Sequence, residues 1–448
     1  MSRPTGFADL AGRRVGIFGY GVEGRASERR LEGIAASVVL VDDAPGEEGV
    51  LATAAGGLDA LFSCDVVLKS PGIARRRADV LALEDAGVVV TSALNLWFVE
   101  APLERVIAVT GTKGKSTTTS LITFFLTCLG EDATSLGNIG RPPYDPDAVP
   151  LEGWLVVEVS SFQCTDLEVA PGNVVVTSLG SDHLDWHGSL EQYWADKLSI
   201  TRLADPHVTF VAESASAGLD QIGGEVVLVA ARESHEKLAH ALGLLGHHNA
   251  SNVALALDVV AHLTSRSPES VAGAVALEAE NFVPLRGRLT LIDEEVTAHG
   301  RIRYVDDGLA TAPLPAVAAL EVFADDEVAL LVGGFDRGVD YSPLVDALAA
   351  RTRATNVITM GLAGERIAEE ITAREIDVAV FEAESMGEAI SFARARLPRG
   401  GVVVLSPAAP SFDRYRNWLE RSEDFAAHVR TREEWSLGRW SPGRDSNP

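Results

Sequence analysis

A chain that places a short apolar run, a glycine turn and Gly-Lys-Ser between Val106 and Ser116 has few folds open to it. Val106 to Val109 read as a buried strand, Thr110 to Lys115 as a tight loop, and Ser116 onward as a helix. A strand feeding a glycine loop that opens a helix has the form of a phosphate-binding loop. The backbone N–H groups of Gly111, Thr112, Lys113 and Gly114 can then face an anion. Lys115 can neutralise phosphate charge, and the hydroxyl of Ser116 or Thr117 can reach Mg²⁺. The usual pattern sets its glycines farther apart than Gly111 and Gly114. A chance Gly-Lys-Ser turn is the competing reading; the flanking strand and helix favour a nucleotide.

At 448 residues the chain has room for about three domains of ~150 residues. A formal net charge of −26 argues against nucleic acid and against an anionic membrane surface as partners. Positive charge for acidic substrates must therefore be local. Cys64, Cys128 and Cys164 are widely spaced and form neither a disulfide framework nor a zinc pattern, which fits a reducing cytosol. The start lacks the apolar core of a signal peptide, and no apolar run reaches the ~20 residues of a membrane span. A cytoplasmic location is expected. Residues 441–448 have turn-forming composition and are expected to be disordered.

The expected fold class is α/β in three domains. Residues 1–103 alternate strands at Val15–Phe18, Val38–Val41 and Val66–Lys69 with helical stretches. Gly19-Tyr-Gly-Val-Glu-Gly24 follows the first strand, and Asp42 ends the second, which is a Rossmann-like pattern. Residues 104–284 form a central P-loop ATPase-type parallel sheet, with further strands at Trp154–Val159 and Val174–Ser178. Here His247 to Asn252 opens a helix reaching Leu263. Residues 285–440 begin with a strand pair near Leu289–Ile292 and Ile302–Val305. Strands at Val328–Val332, Val357–Met360 and Val402–Leu405 follow, again Rossmann-like.

Other clusters carry chemistry. Glu158 ends an apolar strand, where a carboxylate beside a phosphate loop can hold Mg²⁺. Ser181 to Gly188 packs His183, His187, Asp182 and Asp185 together. Zinc has no spacing to support it there; metal ligation beside a nucleotide, or acid–base work, fits better. Lys197 alone reads as a solvated helix lysine. Gly333 to Gly338, with Arg337, and Ser406 to Asp413 suit an anionic ligand or a structural turn equally.

Together these motifs resemble the Mur ligases, ATP-dependent amino-acid-adding enzymes of peptidoglycan precursor synthesis. The residues that carry the resemblance are Thr110 to Thr117, Gly137-Asn-Ile-Gly140, Glu158-Val-Ser-Ser-Phe-Gln163, Asp182-His183, Lys197 and His248 to Asn252. Ser160 to Gln163 resembles the branch that adds glutamate to UDP-N-acetylmuramoyl-L-alanine. The resemblance implies ATP with two Mg²⁺ ions, held by Gly111 to Thr117, with Glu158, His183 and Ser116 as metal ligands. It implies a carbamylated Lys197 as a further metal ligand, and Lys115, His183 and Lys197 as catalytic residues. Asn249 and Asn252 would lie near the adenine, and Arg286 and Asp307 would contact ATP phosphates and ribose. Gly19, Gly21, Gly24, Asp42, Ser70 and Gly72 would bind the UDP end, with Asn138 and Ser160 nearer the pyrophosphate and sugar. Thr311, Arg337, Ser411 and Trp418 would hold glutamate. A monomer is expected.

The pattern departs from that of the D-glutamate enzymes on the amino-acid side. Leu309 and Arg337 stand where lysines are usual, Ala312 where asparagine is, and Trp418 where phenylalanine is. Asp307 to Pro313 looks closer to a related branch that adds L-glutamate, so L-glutamate is favoured and D-glutamate is the alternative. That preference comes from family pattern, since the physics of the changes carries no handedness. A more distant reading, an NAD-dependent dehydrogenase, rests on the Gly19–Gly24 turn alone and leaves Lys115, Glu158 and His183 idle.

Overall fold

Runs of Val, Ile and Leu that are buried on both faces set the architecture, because only a sheet covered on each side can take them. The computed structural model describes residues 4–148, 153–204 and 208–431; the expected tail, 441–448, lies outside them. Three sheets are present.

The first contains β1 (Arg14–Phe18), β2 (Ser37–Asp42), β3 (Leu51–Ala52), β4 (Val66–Lys69) and β5 (Val89–Thr91), in the order β3-β2-β1-β4-β5. Every pairing in it is parallel. This is the Rossmann order over five strands. The second contains β6 (Val106–Thr110), β7 (Ala133–Gly137), β8 (Trp154–Glu158), β9 (Asn173–Val176), β10 (Val208–Ala212) and β11 (Glu225–Val229), in the order β11-β10-β9-β6-β8-β7. It too is parallel throughout.

The third contains β12 (Thr290–Thr297), β13 (Gly300–Asp306), β14 (Val328–Gly333), β15 (Thr355–Met360), β16 (Ala379–Glu382) and β17 (Gly401–Leu405). Its order is β12-β13-β17-β14-β15-β16, with β12 and β13 as an antiparallel hairpin. The run β16-β15-β14-β17 repeats the order β3-β2-β1-β4 of the first sheet. Alternate residues of its strands serve opposite faces. Val328, Leu330 and Val332 enter one core. Ala329 and Leu331 enter the other.

Contacts divide the chain into two compact units, Met1–Leu238 with His248–Ala279, and Ala239–His247 with Glu280–Pro448. The first unit holds the first two sheets around a shared core that runs from Val15 and Ile17 through Trp97 and Phe98 to Ala108 and Val157. Among the described residues no helix is long and apolar enough to cross a membrane. A cavity of about 470 Å³ in the second unit is lined by Thr297, His299, Ile302, Ile390, Arg394 and His428, among others. None of the candidate site residues lines it.

In each sheet the order reverses around a central strand, and ligands of open α/β sheets bind outside the carboxyl ends at that point. In the first sheet this places the loops after β1 and β4 together. In the second it gathers the loops after β6, β8 and β9. In the third it gathers the loops after β13, β14 and β17.

Candidate active site

The loop between β6 and the helix Lys115–Cys128 is held from below by the chain after β9. Thr112 N donates to Ser178 O (2.8 Å) and Thr177 N to Thr110 O (3.0 Å). Lys113 N donates to Ser178 Oγ, and Thr177 Oγ1 donates to Lys113 O. The expected strand Val174–Ser178 therefore stops at Val176, because Thr177 and Ser178 turn to bind the loop backbone. Gly111 has φ of 140°, and a Cβ there would stand 2.1 Å from Thr177 Oγ1, so only glycine fits. A Cβ on Gly114, the N-cap of the helix, would meet Asn252 Oδ1 at 2.5 Å.

Two lysines converge on this loop. Lys115 Nζ donates to Gly111 O (3.0 Å) and Thr112 O (3.1 Å). Lys197 Nζ donates to the same Gly111 O (2.9 Å) from the helix Leu190–Leu198. Lys197 is no solvated helix lysine: it is 1% exposed, with its ammonium 4.9 Å from the Tyr193 ring centre. Burial, then the charge of Lys115, push its pKa down to about 7. Tyr193 OH donates to Thr112 Oγ1, which also accepts from Gly180 N.

Glu158 pairs in register with Val109, so its carboxylate lies beside the loop that starts two residues further on, at Gly111. The residue is 1% exposed. Asn138 Nδ2 donates to Oε1 (2.9 Å), while the buried Oε2 has no hydrogen-bond partner. An unpaired buried carboxylate oxygen is costly unless a cation completes it. Ser116, in the first turn of the helix, is buried, and Thr117 is half-buried. Among the described residues no group of three or more His, Cys, Asp or Glu side chains could hold a metal. A Mg²⁺ ion here would draw on Glu158 Oε2, hydroxyls and phosphate oxygens, the hard oxygen donors it prefers.

The Ser181–Gly188 cluster divides into two roles. His183 has φ of 50°, uncommon for a residue with a side chain, and stays half-exposed over the Phe162 ring at 4.8 Å. Asp182 lies 3.2 Å from Lys113 Nζ. Burial opposes ionisation of Asp182, but Lys113 and His183 outweigh it and hold its pKa below the usual value. His187 is enclosed instead: Nδ1 is 2.7 Å from Asp196 Oδ2, and Nε2 is 3.0 Å from Ser161 Oγ. Both ring nitrogens are thus occupied, which makes His187 a fixed link between Asp196 and Ser161, and burial holds its pKa down. Asp196 also takes both ends of the Arg76 guanidinium, at 2.7 and 3.0 Å. Nothing is described for the side chain of Asp185.

On the first sheet, Ser70 Oγ donates to Gly19 O, tying the loops after β1 and β4 together. Gly21 caps the helix Val22–Leu31 with open space beside it. Gly24 lets that helix approach closely, since a Cβ would stand 2.4 Å from Gly19 O. The Asp42 carboxylate accepts from Tyr20 N and Ala44 N, so it braces the loop. Gly72 O accepts from Trp186 Nε1 at 3.4 Å. Ser160 caps the helix Ser161–Cys164 in a reciprocal box with Gln163. Asn252, hydrogen-bonded to Asn249 Oδ1, accepts from Thr118 Oγ1 and lies against the phosphate loop.

In the second unit the loops after β13, β14 and β17 are joined by Arg421, which the sequence did not single out. Its guanidinium is buried and donates to Gly333 O, Gly308 O and Ala409 O. Phe335 N donates to Pro410 O. Arg337 lies 5.9 Å from the Phe412 ring, beside the buried Ser411. Trp418 packs over Gly287, whose carbonyl accepts from Leu309 N in the turn that holds Thr311. Arg286 pairs with Glu423 in solvent at 3.1 Å. Asp307 accepts from Ser406 Oγ, and burial above all pushes its pKa up to about 7.

A family model described as the Mur ligase middle domain matches residues 109–222. The UDP-N-acetylmuramoyl-L-alanine–L-glutamate ligase of Salinispora tropica is 36% identical over 458 residues, covering 94% of this chain and 98% of its own. The protein of the same name from Xanthomonas axonopodis pv. citri is 34% identical, covering 94% and 95%. This chain belongs to the Mur ligase family. The solved UDP-N-acetylmuramate–alanine ligase of Thermotoga maritima shares the fold, with a TM-score of 0.53 at 17% identity over 94% of this chain and 99% of that one.

In this Mur ligase the Gly111–Gly114 loop, Glu158 and Lys197 gather at the carboxyl ends of β6 and β8. Of the candidate glutamate residues, Arg337 lies near the ring of Phe412, the chain neighbour of Ser411, and Trp418 lies against Gly287, which binds Leu309 two residues before Thr311. Asp307 offers a direct test of its burial. Its folded pKa exceeds the unfolded value of 3.8, so its contribution is fully favourable below that value and is lost as pH rises through about 7. Asp307→Asn keeps an acceptor for Ser406 and removes the charge. The variant should gain about 1–3 kcal/mol over the parent at pH 8 and nothing near pH 3.5. Thermal unfolding at the two pH values checks this; an equal shift at both would refute it.

Proposed function

We propose that this chain is an ATP-dependent ligase that joins L-glutamate to UDP-N-acetylmuramoyl-L-alanine in peptidoglycan precursor synthesis. The observation that carries the phosphoryl chemistry is the convergence of Lys115 and Lys197 on Gly111 O beside the unpaired Glu158 oxygen. The names of the relatives carry the substrates and favour L-glutamate over D-glutamate. The three domains are read as 1–103 for the nucleotide sugar, 104–284 for ATP and 285–440 for glutamate.

The alanyl carboxylate is a poor electrophile and gains reactivity by attacking the γ-phosphorus of ATP, which breaks the bond to the β,γ-bridging oxygen and releases ADP. The acyl phosphate so formed is opened by the glutamate amine, with phosphate leaving. Carboxylate and triphosphate repel, so the loop must supply positive charge where they meet. Lys115 does this, and Mg²⁺ bound through Glu158, Ser116 and His183 would add Lewis acidity. The burial of Lys197 supports a neutral amine that takes up CO₂ as a carbamate, the proposed further ligand for a second Mg²⁺. Holding the reactants in line can contribute on the order of 7–11 kcal/mol. Thr311, Arg337, Ser411 and Trp418 are the proposed glutamate contacts, and Arg286, Asp307, Asn249 and Asn252 the proposed ATP contacts. Gly19, Gly21, Gly24, Asp42, Ser70, Gly72, Asn138 and Ser160 are assigned to the UDP-sugar. The protein is read as a cytoplasmic monomer with no nucleic-acid or membrane partner.

The test is ATP-dependent phosphate release with UDP-N-acetylmuramoyl-L-alanine and either enantiomer of glutamate. L-Glutamate should support turnover at least about tenfold faster than D-glutamate, a difference of roughly 1.4 kcal/mol in transition-state binding. Faster turnover with D-glutamate would overturn the handedness, and no release with either would overturn the reaction.

A further inference from the structure

Glu23 is an acid in the first turn of the helix that Gly21 caps, within the Gly19–Gly24 motif proposed to meet a diphosphate, where its charge is electrostatically the wrong sign. The structure shows where its charge goes. One carboxylate oxygen accepts from Gln163 Nε2 at 2.6 Å, the other from Tyr144 OH at 2.9 Å. Both partners are 4% exposed and belong to the segments around the second sheet. Gln163 Oε1 in turn accepts from Ser160 N at 2.8 Å, two residues beyond Glu158. Further along the same helix, Arg29 grips Asp145, next to Tyr144, at 2.6 and 3.2 Å. Burial raises the Glu23 pKa, while Tyr144 and Gln163 work against that rise.

We infer that Glu23, Gln163 and Tyr144 form a strap that fixes the Gly19–Gly24 loop to the Ser160 turn, making Glu23 and Gln163 positioning residues for the nucleotide sugar. The inference rests on the reading that Gly19–Gly24 holds the UDP end. The strap turns the acid away from the anion. It also sets the spacing between the loop that grips one end of the substrate and the strand end that carries Glu158. A misplacement of about 1 Å between such groups is enough to cost catalysis heavily.

The hydrogen-bond inventory gives a selective test. In Gln163→Glu two carboxylates face each other where one amide donated, and the strap should open. In the double variant Glu23→Gln/Gln163→Glu the donor and acceptor exchange places. The amide nitrogen now at position 23 donates to the carboxylate now at position 163, and the amide oxygen accepts from Tyr144 OH. The carboxylate at position 163 still accepts from Ser160 N. For residues in direct contact such a swap should be strongly non-additive. With the full-length chain, Gln163→Glu should raise KM for UDP-N-acetylmuramoyl-L-alanine about tenfold and leave KM for ATP within about twofold. The double variant should return to within about threefold of the parent. A Gln163→Glu variant with the parent KM would overturn the strap. So would a double variant no better than Gln163→Glu, or a parallel rise in KM for ATP. Amide exchange of residues 19–24 in the parent, with and without UDP, separates the two claims. No protection by UDP overturns the loop assignment itself, whereas protection with an unmoved KM across the variants overturns the strap alone.

Discussion

Lys115→Ala should lower ATP-dependent phosphate release by about 10²–10³-fold while the chain stays folded. The Lys115 ammonium curls back onto Gly111 O and Thr112 O, two carbonyls of its own loop. Lys115 is only half-buried, so water can take the place of its ammonium when the side chain is removed, and the structural cost is small. The functional cost is large because positive charge held in advance beside a triphosphate needs no rearrangement during the reaction. Phosphate-release kinetics and circular dichroism on the same sample check both halves. Turnover equal to the parent's would remove the basis for assigning the loop to ATP.

Lys197→Ala should lose at least about 10²-fold in turnover and regain part of it with formate, acetate or propionate. Lys197 is fully buried, and its stem fills space under the phosphate loop. Alanine leaves a gap lined by Tyr193 and Gly111 O, with the shape of the removed chain and room for a short carboxylic acid. A carboxylate there would substitute for the carbamate oxygens. Rescue should saturate with concentration and fall as the acid grows longer. A folded variant with no response to any of the three acids would leave a carbamate without support.

The central strands were readable because β1, β4, β6, β8, β14 and β17 are apolar runs, and burial on both faces leaves little else that such runs can become. The edges were not. β7 is Ala-Thr-Ser-Leu-Gly, β11 leaves most of its residues open to solvent, and β3 is two residues long. Short polar edge strands carry weak patterns by their nature. Within the site, Lys115 and Glu158 were marked by their places at strand ends. Thr177 and Ser178 read as strand because only the fold brings them under the loop. The two histidines looked alike in sequence, yet His187 is enclosed by Asp196 and Ser161 while His183 is half-exposed. Arg421 gave no signal at all, since an arginine on an amphipathic helix ordinarily lies in water.

The Gly111 carbonyl, shared by two lysine side chains, has one more consequence. Two like charges meeting at one oxygen repel, and that repulsion is among the causes that depress the Lys197 pKa. The proposed carbamylation of Lys197 would reverse the sign of one partner, so that the pair would attract and Lys115 would become the counter-ion of the carbamate. On the proposed reading, uptake of CO₂ by Lys197 and the grip of Lys115 on phosphate would then answer to a single local field.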